Sequence, residues 1–395
     1  MRLSDSRALI RQVSTHLVCG GISNWLIVQL DTDAGVYGVG DATLEGQTLA
    51  VQAMIETFKT DLILGKSVFD VSQVISTLVS GTFWRGGPIL MSAVGGIEIA
   101  MLDAIGKLLE VPVYQLIGGR YRSGIRAYAN GWYRTSNQPD RFAEEARAVA
   151  ARGYTALKLD PLGQTFGEFT PAGLRNAVDI VHRVREAVGE EVDILLDLHG
   201  RLTPHAARTY LHAIADVAPY WFEEPVPPEQ VDRLPSVMHG HNVRLALGER
   251  FYDKSAFRAF FRSGYADVVQ PDLGHAGGLF EGRFIAAMAE AEGTMVAPHT
   301  GNSPIVTAAS LHLAATAPNT LIQETFDDFD HPTMRRDVFP GLPELVNGEL
   351  PVPTSTGLGI EFDKKAAERY SCRPGRTRTS DILVAQDWPA ACWQE

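Results

Sequence analysis

Four acidic residues recur along the middle of the sequence, each directly after a short apolar run. Asp197, Glu223, Glu249 and Asp272 are separated by 26, 26 and 23 residues. In "WFEEP" the first acid, Glu223, keeps this spacing, so Glu224 is the less favoured choice. Each acid alone could simply be the solvated end of a buried strand, where the chain turns. Carboxylates that share one volume, however, need a compensating cation, and oxygen ligands of this kind suit Mg²⁺.

Two histidines accompany these acids. His199 lies two residues after Asp197 in "LLDLHGR", so in an extended segment both side chains lean to the same side. His299 ends the apolar run "GTMVAPH". An Asp on one strand can orient a His on the next and raise its basicity, and Asp272 is the expected partner of His299. The spacing therefore predicts an acid/base pair beside the metal site.

Lys158 and Asp160 lie two residues apart in "YTALKLD", so both are expected to point to the same region, and Asp160 is a candidate substrate contact. Lys158 could be a salt-bridge partner and no more. Beside three acids and a metal ion, its ammonium group is better suited to binding a carboxylate oxygen of a substrate.

The elements that must position these residues alternate from about residue 124 onwards. Eight β-like runs are separated by amphipathic helical stretches. The runs are "IRAYA", "YTALKLD", "VDILLD", "YWFEEP", "VRLALGE", "ADVVQPD", "GTMVAPH" and "TLIQE". Eight such units predict a parallel (β/α)8 barrel with right-handed connections, whose active site forms at the C-terminal ends of the strands. No glycine-rich dinucleotide fingerprint follows any of these runs, so a Rossmann fold is a weak alternative.

The first part of the sequence indicates a separate α+β domain. "NWLIVQLDTDAGVYGVGDATLEG" alternates apolar and polar residues around a Thr-Asp-Ala-Gly turn, which favours an antiparallel hairpin. Helices are predicted at 47–62 and 88–109, and "VPVYQLIGG" is the expected joint. We predict an N-terminal domain at 1–120, a barrel domain at 121–350, and a C-terminal segment and tail at 351–395. That last segment could pack on the N-terminal domain or on a neighbouring subunit, or be disordered.

Composition bounds the class of protein. A chain of 395 residues is too long for one ordinary core, and 45% hydrophobic with 21% charged residues is typical of soluble globular proteins. A net charge of -12 argues against nucleic acid or an anionic membrane as the main partner. Three cysteines without metal-like spacing argue against a disulfide framework. There is no signal-like N-terminus and no run of membrane-spanning length, so a cytoplasmic protein is the simplest expectation.

The order and spacing of six residues resemble the enolase superfamily, in its mandelate racemase-like subgroup. They are Lys158, Asp197, Glu223, Glu249, Asp272 and His299. Within that subgroup, "DLHGR", "WFEEP", "LGER", "QPDLGHAGG" and "APHTGNSP" look most like galactonate dehydratases and related acid-sugar dehydratases. The resemblance covers nearly the whole chain. It implies a modified (β/α)8 (TIM) barrel with an N-terminal α+β capping domain, and Mg²⁺ as the cofactor.

The resemblance also implies roles for the matching residues. Asp197, Glu223 and Glu249 match the three Mg²⁺ ligands of the family. Asp272 and His299 match the dyad that removes the proton α to the substrate carboxylate. The product of that step is a dianion, so stabilising its charge is the main requirement of the reaction.

Three further positions distinguish the reactions of the subgroup. His199 matches the dehydratase histidine that protonates the departing 3-hydroxyl. Elimination of water needs such an acid because hydroxide is a poor leaving group. Glu324, in "LIQET", matches the acid that hydrogen-bonds the substrate or its enolate-like intermediate. Asp160 departs from the racemase pattern, in which a second Lys acts as base on the opposite face. The resemblance therefore implies a substrate of R configuration at C2.

We thus predict a hydro-lyase that dehydrates a (2R)-hydroxy acid sugar, such as galactonate, gluconate or an aldarate, to a 2-keto-3-deoxy acid. The alternatives are an epimerase or cycloisomerase on the same scaffold, or a non-catalytic acid-sugar-binding protein. A homo-oligomer is expected. Loops at 17–25 and 81–88 are expected to close the site. In the second loop, Trp84 and Arg85 could reach the distal end of the sugar or pack in the domain interface.

Overall fold

The structure is a computed structural model that describes residues 8–20, 24–133 and 137–370. Its N-terminal part is a three-stranded antiparallel sheet in the order β1-β2-β3, covered by three helices. The elements are β1 Ile10–Cys19, β2 Asn24–Thr32, β3 Tyr37–Asp41, α1 Thr48–Phe58, α2 Val71–Ser80 and α3 Pro88–Leu108. The hairpin β2–β3 turns at the predicted Thr-Asp-Ala-Gly sequence.

Helix α2 was not predicted from the sequence. Its residues, "VSQVISTLVS", are rich in β-branched side chains, which lowers helix propensity. Val71, Val74 and Leu78 nevertheless recur at helical spacing and are buried. Tertiary packing of this apolar face therefore outweighs the weak local preference.

Helix α3 is the central element of the N-terminal part. It lies so close to β3 that a Cβ added at Gly40 would be 1.9 Å from the carbonyl oxygen of Gly96. By length and composition α3 could cross a membrane, but 94% of its most apolar window is buried inside the protein. It is a core helix, and its small residues allow the sheet to approach it.

Residues 124–325 form the barrel. The elements in chain order are β4 Gly124–Ala129, α4 Pro139–Ala151, β5 Ala156–Leu159, α5 Pro171–Val188, β6 Asp193–Asp197, α6 Pro204–Ala213, β7 Trp221–Glu223, α7 Leu234–Met238, β8 Arg244–Leu247, α8 Lys254–Phe261, β9 Val268–Val269, α9 Leu279–Ala291, β10 Met295–Val296, α10 Pro304–Thr316 and β11 Gln323–Thr325. The eight parallel strands lie in the order β10-β9-β8-β7-β6-β5-β4-β11. A parallel bridge between Val296 and Thr320 connects the two ends of this curled sheet. The predicted fold class is confirmed.

The chain after the barrel strands returns to the N-terminal sheet. It contains α11 Pro332–Val338, β12 Glu349–Pro351, which pairs antiparallel with β4, and α12 Lys364–Arg369. The backbone N–H of Leu358 donates to Asp103 in α3. The domain boundaries given above remain predictions. The tail beyond residue 370 and part of the loop at 17–25 lie outside the described residues.

The barrel interior is apolar at its base and polar in the next layer of inward-facing side chains, towards the C-terminal ends of the strands. Eight buried residues, one from each strand or its immediate flank, pack together inside it: Tyr128, Ala156, Leu195, Trp221, Ala246, Val268, Ala297 and Ile322. Side chains two positions apart on a strand point to the same face. Five predicted site residues lie two positions beyond a member of this layer: Lys158, Asp197, Glu223, His299 and Glu324. The alternation of the strands thus places the polar groups at the C-terminal mouth, directly above an apolar floor.

Candidate active site

Three carboxylates form the centre of the site. One oxygen from each of Asp197, Glu223 and Glu249 lies within 4.8 Å of the other two, and all three residues are buried. Asp197 and Glu223 are paired in register on neighbouring strands. Burial and the nearby Asp197 raise the pKa of Glu223 well above its usual range, although Lys158 opposes this. Such mutual repulsion is relieved by a divalent cation, and an all-oxygen donor set suits Mg²⁺.

Glu224, the alternative acid in "WFEEP", does not join this group. Its backbone has a φ of 39°, and its carboxylate pairs with the guanidinium of Arg250 at 2.7 Å. The positive φ turns the chain after β7, so Glu223 and Glu224 face different neighbours.

Lys158 is buried among the acids. Its Nζ lies 2.8 Å from Glu223, 3.0 Å from Asp197 and 2.9 Å from Glu324. Burial alone would lower the pKa of Lys158, but these three carboxylates raise it well above its usual range. The positive charge of Lys158 is thus stabilised between the three carboxylates of the triad and Glu324.

The predicted dyad is formed. His299 Nδ1 lies 2.7 Å from the Asp272 carboxylate, and its Nε2 lies 3.5 Å from Glu249. Burial alone would lower the pKa of His299, but Glu324, Glu249 and Asp272 outweigh it and raise the pKa well above its usual range. A divalent cation bound by the triad would offset the charge of Glu249 and lower that pKa, which favours the neutral ring that a base requires. Because Asp272 occupies Nδ1, Nε2 is the atom directed at the carboxylate centre. This is the geometry of an oriented imidazole base.

Glu324 faces the same centre from β11. One of its oxygens accepts from Asn130 Nδ2 at 2.8 Å, and the other accepts from the backbone N–H of Thr300 at 2.9 Å. Burial would raise the pKa of Glu324, but Lys158 and His299 lower it overall. The carboxylate is thus held ionised. Asn130 and Thr300 were not identified from the sequence, and each follows a predicted strand or predicted site residue directly.

His199 lies on the other side of the triad. Strand β6 ends at Asp197, and His199 has a left-handed backbone with a φ of 48°, so the predicted extended segment is wrong at this point. The two side chains still converge, with His199 Nε2 3.5 Å from an Asp197 oxygen. Burial lowers the pKa of His199, but Asp197 and Asp160 raise it to about 10. Asp160 contacts His199 Nδ1 at 3.0 Å and also accepts from Arg201.

The predicted capping contacts are exposed. Trp84 is 84% exposed, and Arg85 is exposed as well, so neither side chain packs in the domain interface. The loop nonetheless approaches the segment that follows β8 at the C-terminal end of the barrel, since a Cβ added at Gly86 would be 3.7 Å from the Tyr252 ring. Contact of Trp84 and Arg85 with a substrate stays a prediction.

A histidine behind the dyad, His275, was not identified from the sequence. His275 Nδ1 lies 3.1 Å from the Ser92 hydroxyl in α3, and its Nε2 lies 3.3 Å from the Asn302 amide and 3.6 Å from Glu45. His275 also donates its backbone N–H to Asp272. Its position three residues after Asp272 was the available signal.

Two buried acids from the N-terminal part bind the starts of two barrel helices. These are α9, which follows Asp272 in the chain, and α10, which follows His299. Glu98 in α3 accepts the backbone N–H groups of Leu279 and Phe280 at 2.8 and 2.9 Å, at the start of α9. Asp41 at the end of β3 accepts the backbone N–H of Ser303 at 2.9 Å, at the start of α10. The first N–H groups of a helix have no partner within the helix, so these carboxylates act as caps.

A curled parallel barrel carries three converging carboxylates and an oriented histidine at its mouth, an arrangement that could hold a metal ion beside a proton-transfer group. The family described as "Enolase C-terminal domain-like" matches residues 141–366. The family "Mandelate racemase / muconate lactonizing enzyme, N-terminal domain" matches residues 9–118. The chain belongs to the enolase superfamily, in its mandelate racemase and muconate lactonizing enzyme group.

Named relatives are similar over most of the chain. A D-gluconate/D-galactonate dehydratase of Picrophilus torridus is 35% identical over 88% of this chain and 88% of its own length. A D-galactonate dehydratase of Variovorax paradoxus is 36% identical over 89% of this chain and 92% of its own. A solved mandelate racemase/muconate lactonizing enzyme from a Sulfitobacter species superimposes with a TM-score of 0.87 at 31% identity, covering 93% of this chain and 96% of its own.

Proposed function

We propose that this protein is a Mg²⁺-dependent acid-sugar dehydratase. It would convert a (2R)-hydroxy acid sugar, an aldonate such as galactonate or gluconate or an aldarate, to a 2-keto-3-deoxy acid and water. The observation that carries this proposal is the pair of imidazoles on opposite sides of the triad. His299 Nε2 lies 3.5 Å from Glu249, and His199 Nε2 lies 3.5 Å from Asp197. The names of the relatives described above support the substrate class.

Asp197, Glu223 and Glu249 would hold the Mg²⁺ ion, because their oxygens converge and are buried. When bound, the ion supplies positive charge to the substrate carboxylate as the α-carbon loses its proton. Lys158, which the structure holds charged against the same acids, would bind the carboxylate from the other side.

The proton transfers are assigned to the histidines. His299 Nε2 takes the C2 proton, and the electron pair of that C–H bond moves into the enolate of the carboxylate. The pair then forms the C2–C3 double bond as the C3–O bond breaks, and His199 gives its proton to the departing hydroxyl, which leaves as water. The resulting enol becomes the 2-keto-3-deoxy acid. Glu324, held ionised by Lys158, would orient the substrate hydroxyls.

The R configuration at C2 is part of the proposal. His299 supplies the base on one face of the substrate. Asp160 occupies the position at which racemases of the group carry a second lysine, the base on the opposite face. Asp160 is bound to His199 and Arg201, and its carboxylate is not arranged as a second base. An epimerase or cycloisomerase on the same scaffold is the second candidate, because both reactions begin with removal of the α-proton by the dyad. An epimerase would also need a proton donor on the opposite face, a role for which Asp160 is not arranged.

The test is a panel of aldonates and aldarates incubated with the enzyme and Mg²⁺, with 2-keto acid formation as the readout. Proton NMR in deuterated buffer then follows exchange at C2. We expect His299→Asn to lose both dehydration and exchange by about 100- to 10,000-fold. His199→Asn is expected to lose dehydration by a similar factor and to retain exchange.

The outcomes separate the candidates. Exchange or inversion at C2 without keto acid from the unmodified enzyme would indicate an epimerase or related isomerase. Binding without either reaction would indicate a non-catalytic acid-sugar-binding protein. Undiminished dehydration by His199→Asn would remove that residue as the acid. As a matched control, His205→Asn alters an exposed histidine on α6 and should leave both reactions unchanged.

A further inference from the structure

Asp160 is fully engaged by groups of the protein. One of its oxygens lies 3.0 Å from His199 Nδ1 and accepts from Arg201 Nη2 as well. Its other oxygen accepts the backbone N–H of Leu162 at 2.9 Å. A carboxylate with these three partners is poorly placed to contact a substrate, although Asp160 is a candidate substrate contact from the sequence.

Arg201 holds the Asp160 carboxylate in place by donating a hydrogen bond to it. The Arg201 side chain is only 2% exposed, and its Nη1 donates to the carbonyl of Gly163 at 2.8 Å. It therefore joins the turn after β6, which carries His199, to the loop after β5, which carries Asp160. A planar guanidinium with fixed donors suits this task better than a flexible ammonium group.

The backbone of His199 is held by its own turn, separately from the ring. A left-handed conformation at a residue other than Gly persists only where the surroundings hold it, and the φ of His199 is 48°. The next residue, Gly200, also has a left-handed backbone with a φ of 60°, and an added Cβ would lie 3.0 Å from the backbone of Pro227. The main chain is thus fixed by the turn, whereas the rotation of the imidazole ring is set by its contact with Asp160.

We propose that Asp160, held by Arg201, is a positioning residue for His199. Its hydrogen bond at Nδ1 directs Nε2 towards the carboxylate triad, as Asp272 does for His299 on the other side. The structure then has two carboxylate–imidazole pairs, with both Nε2 atoms 3.5 Å from a triad oxygen. This inference rests on the proposed dehydration and assigns to Asp160 the orientation of its leaving-group acid.

The test compares Asp160→Ala and Asp160→Asn, alone and combined with His199→Asn. We expect Asp160→Ala to lower kcat for dehydration by about 10- to 100-fold, the usual effect of removing a residue that orients a histidine. KM should change little, and exchange at C2 should persist because His299 is untouched. Asp160→Asn keeps an acceptor and should lose less. In the His199→Asn background, Asp160→Ala should cause no further loss.

Asp216→Asn is the matched control, because Asp216 forms a similar pair with His182, 3.1 Å apart, on the protein surface. It should leave both reactions unchanged. A raised KM with unchanged kcat would make Asp160 a substrate contact and overturn the inference. Equal losses of exchange and dehydration, or losses additive with His199→Asn, would overturn it as well.

A second measurement does not depend on turnover. Crystal structures of the unmodified enzyme and of Asp160→Ala would show whether the His199 ring turns away from its original orientation when the carboxylate is removed. An unchanged ring overturns the inference even if dehydration is confirmed. A turned ring supports positioning even if the panel of acid sugars gives no product, in which case the proposed function alone fails.

Discussion

At the scale of single residues, His312 is a buried histidine that the proposed reaction does not use. Its Nδ1 accepts the backbone N–H of Tyr114, so its Nε2 donates to the carbonyl of Leu358, and the neutral ring satisfies both. Burial lowers the pKa of His312 to about 4, although the bond to Leu358 opposes this. Protonation would set a second N–H against that of Tyr114.

This predicts a pH-dependent stability. The folded pKa lies below the unfolded value of 6.5, so the unfolded chain binds the proton more readily, and the free energy of unfolding falls as the pH drops from 6.5 towards 4. The contribution is at most about 3 kcal/mol. Urea unfolding of His312→Gln should show a shallower fall across this window. His205→Gln, at an exposed position, should keep the original slope, and equal slopes for both variants would refute the prediction.

Metal binding is tested at the same scale through Glu249. We expect Mg²⁺ to stabilise the unmodified protein by about 2.7 kcal/mol at one hundred times the dissociation constant, measured as a thermal shift. Glu249→Gln should lose most of this shift because one ligand oxygen loses its charge. Glu281→Gln serves as the control, because it removes a carboxylate of α9 that pairs with Lys254 at the start of α8. Equal shifts in both variants would argue against a metal site at the triad.

The site residues differ in how far the sequence could identify them. Asp197, Glu223 and Glu249 stand at regular intervals because each lies at or just beyond the end of one strand of a repeating unit, and the structure brings them together. The left-handed turn at His199 leaves no comparable pattern, since Gly200 was its only local sign. The partners of Asp160 were also hidden, because Arg201 is 41 positions away and reaches it only after the strands are paired.

At the scale of elements, the caps on α9 and α10 come from outside the barrel. Replacing Glu98 by Ala would leave the N–H groups of Leu279 and Phe280 unpaired in a buried place. We expect a loss of about 2–6 kcal/mol in the free energy of unfolding, at 1–3 kcal/mol for each unpaired group. Glu98→Gln keeps one acceptor and should lose less.

Urea unfolding measures this difference, and C2 exchange shows whether Asp272 and His299 are displaced with the helix. Glu186 is a suitable control, since it is exposed on α5 and both its Ala and Gln variants should unfold as the unmodified protein does. Equal stability of Glu98→Ala and Glu186→Ala would show that the cap contributes nothing.

Periodicity predicted most of the elements and failed where packing decides. All eight predicted runs overlap a barrel strand, because alternating apolar positions and flanking turns are local features. Strands β9 and β10 are only two residues long, and a proline follows each of them closely. Helix α2 was missed because its β-branched residues favour helix only once they pack against the neighbouring elements.

At the scale of the whole molecule, the N-terminal part and the barrel meet through specific polar contacts that no local pattern reveals. Glu98 and Leu279 are 181 positions apart, and Asp41 and Ser303 are 262 apart. The sequence indicates two kinds of architecture in succession. It does not show that one supplies the missing hydrogen-bond acceptors of the other.

The two capping acids have a consequence for rebuilding the enzyme from parts. An N-terminal domain taken from a relative could be joined to this barrel to change the acid sugar used in the proposed reaction. Such a graft would also replace the groups that anchor the helices behind Asp272 and His299. Unless the donor carries carboxylates at the positions of Asp41 and Glu98, the exchange would disturb the proton-removing pair along with the substrate preference, so selectivity and turnover could not be engineered separately.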